Sequence, residues 1–422
     1  MKKYILKTFG CSANHHDSEL MAGMLSQSGL SPATEDGQAD VVILNICTVK
    51  GDLKAIKEIR NARETNPDSR IIVTGCTTQR IIEACQGIDK DIITMSTHEL
   101  DRLPDALAGK TIGPATKPVA KILLPKVRIN ETVGIVLISE GCTNICTFCS
   151  TKSIKGNVHS YPIEDIVEEV RRSVHAGTKE IWLTSQDNGA YGLDLYRRRA
   201  LGELLSELTK IRGSFFMRVG MANPHHIKEI LPQLIYALNH KNVFSFMHIP
   251  VQAGSDRVLT LMKRTYTVDD YRTIVQTLQE KVPDITIATD IIAGFPTETD
   301  EEFEETLALV RETRPQVVNI SRYSIREGTK AAEMPQLPEW IKKERSRKLT
   351  LLFEEVGTEE NRRWIDWEGD VIIDDEGKDG IMQGRNSSYK AVVVPGTHSI
   401  GDIVHVRIKG CTQHDLRSEV ID

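Results

Sequence analysis

Three cysteines that each follow a strand-like run most constrain how the first part of this 422-residue chain can fold. The runs cover residues 3–10, 40–46 and 69–75, and the cysteines after them are Cys11, Cys47 and Cys76. Helical patterns over residues 18–28, 49–64 and 79–85 separate the runs. Alternation of strand and helix predicts a parallel, doubly wound sheet, whose ligand sites gather at the carboxyl ends of its strands. These three residues, here called the first cysteine set, should therefore meet at one edge.

Two interpretations of the first cysteine set remain open from the sequence. Thiolates gathered at a ligand-binding edge favour an iron–sulfur cluster, whereas thiols of the hydrophobic core are the alternative. Cys85 lies inside a helical stretch and is expected to be a core residue. Cys411, near the C-terminus, is expected to be a free thiol.

Composition places the chain among soluble globular proteins, with 27% charged and 40% hydrophobic residues. No apolar run approaches the roughly 18 to 20 residues that cross a bilayer, and the N-terminus lacks a signal-peptide core. We therefore expect a cytoplasmic protein with no membrane partner, in which eight cysteines favour metal ligation over disulfides. A net charge of -6 offers no global attraction for nucleic acid, so RNA binding would need local basic patches.

A CxxxCxxC triplet follows the apolar run 134–138 and forms what we call the second cysteine set: Cys142, Cys146 and Cys149. Three thiolates at this spacing can ligate three corners of a 4Fe-4S cluster and leave the fourth iron open for a substrate. A structural zinc site is the alternative, but zinc normally takes four protein ligands. No fourth Cys or His lies nearby in the sequence.

The middle of the chain carries six strand-like runs with helical segments between them. The runs cover residues 134–139, 180–184, 216–221, 243–251, 285–292 and 317–323. The clearest helical segments cover residues 162–176, 227–239, 268–281 and 300–313. Six such units predict an open (β/α)6 three-quarter barrel, with its active site at the strand carboxyl ends.

Residues from about 362 onward alternate short β-type runs, at 371–373, 389–394 and 402–408, with Gly and polar turns. This pattern predicts a small antiparallel β-barrel of a kind that often contacts RNA. Residues 362–422 contain 8 Lys and Arg but 11 Asp and Glu, so the segment as a whole does not attract RNA. An RNA surface would be a local patch such as Arg385, Lys390, Arg407 and Lys409. A packing module is the alternative. The basic segment 342–348 could also touch phosphates, although such runs are often solvated helix faces.

These patterns divide the chain into four parts: an N-terminal domain at 1–112, a proline-containing linker at 113–128, a barrel domain at 129–361 and a small β-barrel domain at 362–422. The fold class is therefore α/β with a small β-barrel at the end.

The CxxxCxxC triplet resembles the signature of radical S-adenosylmethionine enzymes. Three further N-terminal cysteines and a small C-terminal barrel are similar to the methylthiotransferase family, with the TRAM domain as its RNA-binding module. The stretches that most resemble the archaeal and eukaryotic tRNA threonylcarbamoyladenosine methylthiotransferases are residues 156–162 (GNVHSYP), 182–192 (WLTSQDNGAYG), 248–256 (HIPVQAGSD) and 288–299 (ATDIIAGFPTET). Residues 324–329 (SIREGT) depart from the family, which has a proline-rich stretch there in the substrate-facing loop.

The resemblance implies a tRNA-modifying enzyme that inserts sulfur and a methyl group at C2 of N6-threonylcarbamoyladenosine, next to the anticodon. In the implied mechanism, the cluster on the second cysteine set cleaves S-adenosylmethionine, and the resulting radical removes the C2 hydrogen. A second 4Fe-4S cluster, on the first cysteine set, holds the sulfur to be inserted, and another S-adenosylmethionine supplies the methyl group. The implied partners are tRNA, S-adenosylmethionine, an electron donor and a sulfur source. No catalytic side chain is implied.

Residues at the barrel strand ends are expected to bind S-adenosylmethionine. They are Ser185, Gln186, Asn223, Gln252 and Gly294. Turn formation is the alternative role for each of them. Alternative functions are methylthiotransfer to isopentenyladenosine in tRNA or to a ribosomal-protein aspartate, and, outside the enzymes, a two-cluster electron carrier or an iron–sulfur RNA-binding regulator.

Overall fold

The chain forms three units that pack together in the computed structural model, which describes residues 2–35, 37–47, 51–110, 119–377 and 380–421. The first unit is a five-stranded, fully parallel sheet. Its strands are β1 (Lys3–Thr8), β2 (Ser31–Pro32), β3 (Val41–Ile46), β4 (Arg70–Gly75) and β5 (Ile93–Thr94), in the order β2-β1-β3-β4-β5. Its helices are α1 (Ser12–Gln27), α2 (Asp52–Thr65), α3 (Gln79–Ile88) and α4 (Leu103–Leu107).

Strand β3 shows why this sheet needs helices on both faces. Val42 and Leu44 pack against α2 and α3, whereas Val41 and Ile43 pack against α1 and α4. A continuous apolar run that is buried on both sides is typical of a parallel sheet. The predicted doubly wound sheet is thus confirmed.

Helix α1 starts earlier than predicted, at Ser12 instead of residue 18. Its first turns carry the polar residues Asn14, His16 and Asp17, yet all three are buried. Helix prediction from sequence relies on the periodic spacing of apolar residues. It therefore misses a helical turn whose buried side chains are polar, as in the first turns of α1. The predicted start of the second helix at residue 49 lies outside the described residues, and α2 begins at Asp52.

The second unit is an open barrel of six parallel strands. They are β6 (Val133–Leu137), β9 (Glu180–Thr184), β10 (Phe216–Val219), β11 (Phe246–His248), β12 (Thr286–Ala293) and β13 (Val317–Arg322). Two sheets, ordered β6-β9-β10 and β11-β12-β13, are joined by a parallel bridge between Met217 and Val243. The strands β7 (Ser139–Glu140) and β8 (His159–Ser160) form a small antiparallel pair. The predicted six-unit barrel is confirmed.

Eight helices accompany the barrel strands in the described residues. They are α5 (Thr151–Lys155), α6 (Ile163–His175), α7 (Leu201–Leu208), α8 (Pro224–Leu238), α9 (Asp256–Leu261), α10 (Val268–Lys281), α11 (Asp300–Thr313) and α12 (Glu339–Arg362). Helices α10 and α11 match their predicted bounds, since Thr267 and Thr299 each form a capping box that marks the start. Helix α8 begins three residues before its predicted start, at Pro224 behind the N-cap Asn223.

The third unit is a closed five-stranded barrel. Its strands are β14 (Glu368–Glu376), β15 (Met382–Arg385), β16 (Ala391–Val394), β17 (Ile403–Cys411) and β18 (Leu416–Val420). Four of its pairs are antiparallel, but β16 and β18 pair in parallel, so the predicted antiparallel barrel needs this correction. Val371, Val392 and Val406 fill its core.

The predicted linker falls partly outside the described residues, which lack 113–118. Residues 119–128 contain neither helix nor strand. Lys121 within them is nonetheless fully buried, so this stretch is packed into the molecule. No helix in the described part of the chain combines the length and the apolar character needed to cross a membrane.

Candidate active site

The first cysteine set lies at one edge of the N-terminal sheet, as predicted. Its members follow three neighbouring strands, β1, β3 and β4. The Cys76 amide donates to the Ile46 carbonyl at 3.0 Å, which holds two of the strand ends together. A Cβ atom at Gly10 would lie 3.0 Å from the Cys47 Sγ, so the turn that carries Cys11 runs directly against Cys47. Gly10 also has a φ of +126°, a conformation that other residues rarely adopt. Both the close contact and the backbone angle therefore require glycine at this position.

Burial shapes the chemistry of the first cysteine set. Cys47 and Cys76 are buried, and Cys11 is exposed. Burial raises the pKa of the Cys76 thiol to about 12; the Lys155 ammonium opposes this rise, whereas the neighbouring Cys47 and Cys11 add to it. A buried thiol of this kind becomes a thiolate when it binds a metal. Two buried thiols and one exposed thiol therefore share this edge of the sheet.

A buried ion network joins the first unit to the barrel. The Lys121 Nζ lies 3.0 Å from the Asp17 Oδ1 and 3.0 Å from the Glu140 Oε2. The Lys155 Nζ lies 2.6 Å from the Thr97 Oγ1 and 3.5 Å from the Asp17 Oδ2. Burial alone would raise the pKa of Asp17, but the two ammonium groups hold it well below its usual range. Asp17 is therefore ionised and paired in the interior.

Lys155 brings this network to the first cysteine set. Burial alone would lower its pKa, but the charges of Asp17 and Glu140, and then of Cys76 and Cys11, raise it above its usual value. Lys155 is also the last residue of α5, which starts two residues after Cys149. One short helix thus connects the second cysteine set to the buried ion network of the first unit.

The second cysteine set occupies the loop that follows β7. The Cys142 amide donates to the Gly156 carbonyl at 3.2 Å, and the Thr147 amide donates to the Met262 carbonyl at 3.1 Å. Gly141 precedes the set with a φ of +73°. A Cβ atom at Gly141 would lie 1.9 Å from the Asn157 carbonyl oxygen, so only glycine permits this close approach.

Hydrogen bonds to sulfur hold two members of the second cysteine set. The backbone amide and the Nδ2 of Asn144 lie 3.4 Å and 3.5 Å from the Cys142 Sγ. The Arg264 Nη1 lies 3.3 Å from the Cys146 Sγ. Burial raises the pKa of Cys142 to about 11 and also that of Cys146, where Arg264 opposes the rise. Such donors stabilise thiolates that ligate a cluster.

The two remaining cysteines lie away from both sets. Cys85 lies on α3 and packs in the core between this helix, the sheet and α2, as predicted. Cys411 ends β17 as a free thiol, as predicted, with its Sγ 3.9 Å from the Thr358 carbonyl. Each set therefore keeps three thiols.

Three of the predicted cofactor residues form hydrogen bonds that hold the barrel loops. The Gln186 Oε1 accepts a hydrogen bond from the Gly141 amide at 2.6 Å and so holds the loop of the second cysteine set. Ser185 accepts from the Asp187 amide at 3.1 Å. Asn223 is the N-cap of α8, and its side chain accepts from the His225 amide. Ser185 and Asn223 thus make the contacts expected of turn-forming residues, the alternative role that the sequence analysis kept open for them.

The other two predicted residues have left-handed backbones. Gln252 has a φ of +72°, and its amide donates to the Asp290 carbonyl at 2.8 Å. Gly294 has a φ of +75°, and its amide donates to the Glu298 Oε2 at 3.0 Å. Lys342 packs against the Gly294 α-carbon. All five predicted residues stand at the carboxyl ends of the barrel strands.

Asp187 is a site residue that sequence reasoning missed. It is buried, and its Oδ1 accepts from the amides of Gly189 and Asn223, each at 3.1 Å. Its Oδ2 accepts from the Asn144 Nδ2 at 3.0 Å, which ties the cysteine loop to the strand ends. Burial raises the pKa of Asp187 to about 6. Its position directly after Gln186, at the end of a barrel strand, could have indicated a site residue. Aspartate is also common in turns, so the position alone did not identify it.

A second missed group lies on the barrel strands themselves. The Asp290 Oδ1 accepts from the His248 Nε2 and the Asn319 Nδ2, each at 2.8 Å. Burial would raise the pKa of Asp290, but these hydrogen bonds hold it below its usual value. The three residues come from β11, β12 and β13. Their wide sequence separation hid the cluster.

The small barrel docks on the large one through Tyr389. Its ring centroid lies 4.9 Å from that of Phe244, 5.0 Å from the Arg218 guanidinium and 4.8 Å from the Arg385 guanidinium. The Ser245 amide also donates to the Ser387 carbonyl at 2.9 Å. This contact fixes the two barrels relative to each other.

The predicted basic patch on the small barrel is wrong for two of its residues. Arg385 pairs with Asp374 at 3.0 Å beneath the docking surface, and Lys390 is buried. Arg407 and Lys409 remain on the surface, where both pair with Glu419. Any phosphate contact there must compete with a carboxylate.

The basic segment 342–348 is also partly structural. Lys342 and Arg345 are buried, and the Arg345 Nη1 lies 2.6 Å from the Glu298 Oε2. The Arg345 Nη2 lies 2.7 Å from the Asp300 Oδ1. These charges hold α12 to the loop after β12, so they are not available to RNA.

Three family models match the three units. Residues 136–310 match the Radical SAM superfamily, residues 3–94 match the Uncharacterized protein family UPF0004, and residues 368–421 match the TRAM domain. The first match covers the second cysteine set and favours a 4Fe-4S cluster there over the zinc alternative.

Similar proteins share nearly the whole chain. A probable threonylcarbamoyladenosine tRNA methylthiotransferase of Archaeoglobus fulgidus is 42% identical over 414 residues, which cover 96% of each chain. The threonylcarbamoyladenosine tRNA methylthiotransferase of Danio rerio is 37% identical over all of this chain and 79% of its own. The Homo sapiens protein of that name is 36% identical over all of this chain and 74% of its own.

Solved structures share the fold at low identity. The radical S-adenosylmethionine methyltransferase TsrM from Kitasatospora setae superposes with a TM-score of 0.58 and 14% identity, over 79% of this chain and 75% of that one. The cobalamin-dependent S-adenosylmethionine radical enzyme OxsB gives a TM-score of 0.54 at 13% identity, over 84% of this chain and 56% of that one. Both structures thus share the overall arrangement of this chain over the covered residues.

Proposed function

Because this chain belongs to the family of threonylcarbamoyladenosine tRNA methylthiotransferases, we propose that it inserts sulfur and a methyl group at C2 of N6-threonylcarbamoyladenosine in tRNA. The chemistry is that of radical S-adenosylmethionine enzymes, which the central unit matches.

One observation carries this proposal: the two cysteine sets flank the same seam, and Lys155 spans it. Helix α5 starts two residues after Cys149, and the Nζ of Lys155 at its end lies 2.6 Å from the Thr97 Oγ1 and 3.5 Å from the Asp17 Oδ2 of the first unit. Two clusters that each lack a fourth protein ligand can both hold substrates. An electron carrier needs no open iron, so this arrangement favours sulfur transfer.

We assign one 4Fe-4S cluster to Cys11, Cys47 and Cys76 and the other to Cys142, Cys146 and Cys149. When bound, these clusters and S-adenosylmethionine supply the radical and the sulfur needed to replace an unactivated C–H bond, which side-chain acids and bases cannot break.

The chain's own residues orient the bound groups. Asn144 and Arg264 donate to the sulfurs of the second set. Asp187 fixes Asn144 in turn. Lys155 supplies a buried positive charge beside the thiolates of the first set. Held donors of this kind need no reorganisation during the reaction.

For S-adenosylmethionine itself, we keep the strand-end residues as the proposed contacts: Ser185, Gln186, Asn223, Gln252 and Gly294. Their support is their shared position at the active end of the barrel. Gln186 has a second role, since it already holds Gly141 beside the cysteine loop.

The TRAM unit is proposed to contact tRNA, with Arg407 and Lys409 as its surface cations. We propose domain bounds of 1–112, 129–361 and 362–422, joined by a linker at 113–128. An electron donor and a sulfur source are required by the reaction, and the proposed location is the cytoplasm.

Nucleoside mass spectrometry of tRNA from a strain without this gene tests the function. N6-threonylcarbamoyladenosine should accumulate and its 2-methylthio derivative should disappear. The wild-type gene should restore the derivative, and a Cys142→Ala gene should not. Loss of methylthio-isopentenyladenosine instead would establish the alternative substrate and refute the proposal.

A further inference from the structure

A cavity of about 730 Å³ opens between the first unit and the barrel. The starts of α2 and α3 form one wall, and residues 324–328, in the loop after β13, form another. Thr78 in the first wall lies two residues after Cys76, and Ser150 in the lining directly follows Cys149. The cavity therefore adjoins the ends of both cysteine sets.

Positive charge predominates in the cavity wall. Lys54, Arg80 and Arg326 line it together with only two carboxylates, those of Asp52 and Glu327. Asp52 is already engaged, because its Oδ2 accepts from the Thr78 Oγ1 at 3.1 Å.

The cations of the first wall are poised for an outside partner. Within the described ranges, neither Lys54 nor Arg80 makes an ion pair, and both are exposed. Guanidinium groups bind carboxylates in a planar, two-point fashion. An anionic group that enters the cavity would meet Arg80 from one side and Arg326 from the other.

The rest of the cavity suits a modified nucleoside. Leu53 and Ile325 line it with 70% and 58% of their surface exposed. Apolar side chains in such positions can cover a base or an aliphatic substituent. The cavity thus combines an apolar rim with cations near the cysteines.

We propose that Arg80 and Arg326 bind the carboxylate of the threonylcarbamoyl group and so select the substrate nucleoside. This inference rests on the proposed function. An isopentenyl group is neutral and apolar and would offer these cations no countercharge, which is the kind of mismatch that yields strong discrimination. Arg326 also lies in the stretch 324–329, where the chain departs from the proline-rich family pattern.

Binding measurements test the proposal without requiring turnover. Fluorescence anisotropy with the anaerobically reconstituted full chain would compare two anticodon stem-loop RNAs, one with N6-threonylcarbamoyladenosine and one with unmodified adenosine. Arg80→Gln and Arg326→Gln should each weaken binding of the modified RNA roughly tenfold and leave binding of the unmodified RNA unchanged. Arg60→Gln, an exposed position on the same α2, is the matched control and should change neither affinity.

Two results would overturn the inference. Equal losses on both RNAs would mean that the arginines bind backbone phosphates, and unchanged affinities would mean that they bind neither group. Failure of the proposed function is seen separately, in wild-type enzyme that does not methylthiolate the modified RNA. Reductive cleavage of S-adenosylmethionine in the arginine variants should equal that of wild type, which confirms their folding.

Discussion

The Arg264 guanidinium lies 3.3 Å from the Cys146 sulfur, where Nη1 donates to Sγ. Its Nη2 donates to the Pro250 carbonyl at 3.1 Å, and its Nε donates to the Tyr266 hydroxyl at 2.9 Å. A cation held this firmly beside a cluster ligand favours the reduced, more negative cluster.

Replacement of Arg264 should therefore make the barrel cluster harder to reduce. In a background with the first cysteine set changed to alanine, Arg264→Gln should lower the midpoint potential by on the order of tens of millivolts. Redox titration followed by electron paramagnetic resonance measures the shift. Lys263→Gln, an exposed neighbour, is the control. An unchanged potential would show that the contact does not tune the cluster.

Iron content tests the division of the six cysteines into two sets. The reconstituted wild type should bind two 4Fe-4S clusters, and alanine at all three positions of the second set should leave about half of the iron. Iron and sulfide assays give the answer. Full iron in the triple variant, or stoichiometric zinc in the native protein, would refute the two-cluster assignment.

The two sets should also separate by role. Cys47→Ala should still cleave S-adenosylmethionine reductively yet form no methylthio product, because we assign radical formation to the second set alone. Product analysis by mass spectrometry measures both reactions in one sample. Complete loss of cleavage, in a folded variant with the barrel cluster intact, would contradict this division.

Asp17 should matter strongly for stability. Asp17→Asn keeps the shape but leaves Lys121 and Lys155 buried with less compensating charge. Removal of one partner from a buried ion pair costs about 3 to 5 kcal/mol. Denaturant unfolding measures the loss. Asp105→Asn breaks an exposed pair with Lys110 and should change stability little.

Glu19 should make stability fall as pH rises. Burial raises its pKa to about 7, against the opposing charge of Lys126. A carboxyl with a raised folded-state pKa stabilises the fold while protonated, below its unfolded value, and loses this contribution as pH rises through about 7.

Glu19→Gln mimics the protonated form. Its free energy of unfolding should therefore exceed that of wild type by about 1 to 3 kcal/mol at pH 8, and this difference should shrink toward pH 5. Unfolding curves across this range show the trend. Glu64→Gln, at an exposed position of α2, should give a gap that does not change with pH. A constant gap for Glu19→Gln would contradict the raised pKa.

The sequence predicted correctly those elements whose bounds depend on residues within the element itself. Helices α10 and α11 were placed to the residue because Thr267 and Thr299 act within their own first turns. The cysteine edge also followed from local patterns, because parallel strands bring their carboxyl ends together.

Contacts between units could not be predicted in the same way. Arg385 looked like a surface cation, but the docking of Tyr389 against the large barrel covers it. Asp17, Lys121 and Lys155 lie on three separate segments, and no local pattern relates them. Their pairing is visible only once the units are packed.

That buried charge network bears on how the enzyme can evolve. Asp17 comes from the first unit, Lys121 from the connecting segment and Lys155 from the barrel unit. A chimera that took its first unit from a relative without a matching acid would leave Lys121 and Lys155 buried at the seam with only Glu140 to balance them, which is strongly unfavourable. The first unit and the barrel unit should therefore be exchanged only together, even though each has a fold of its own.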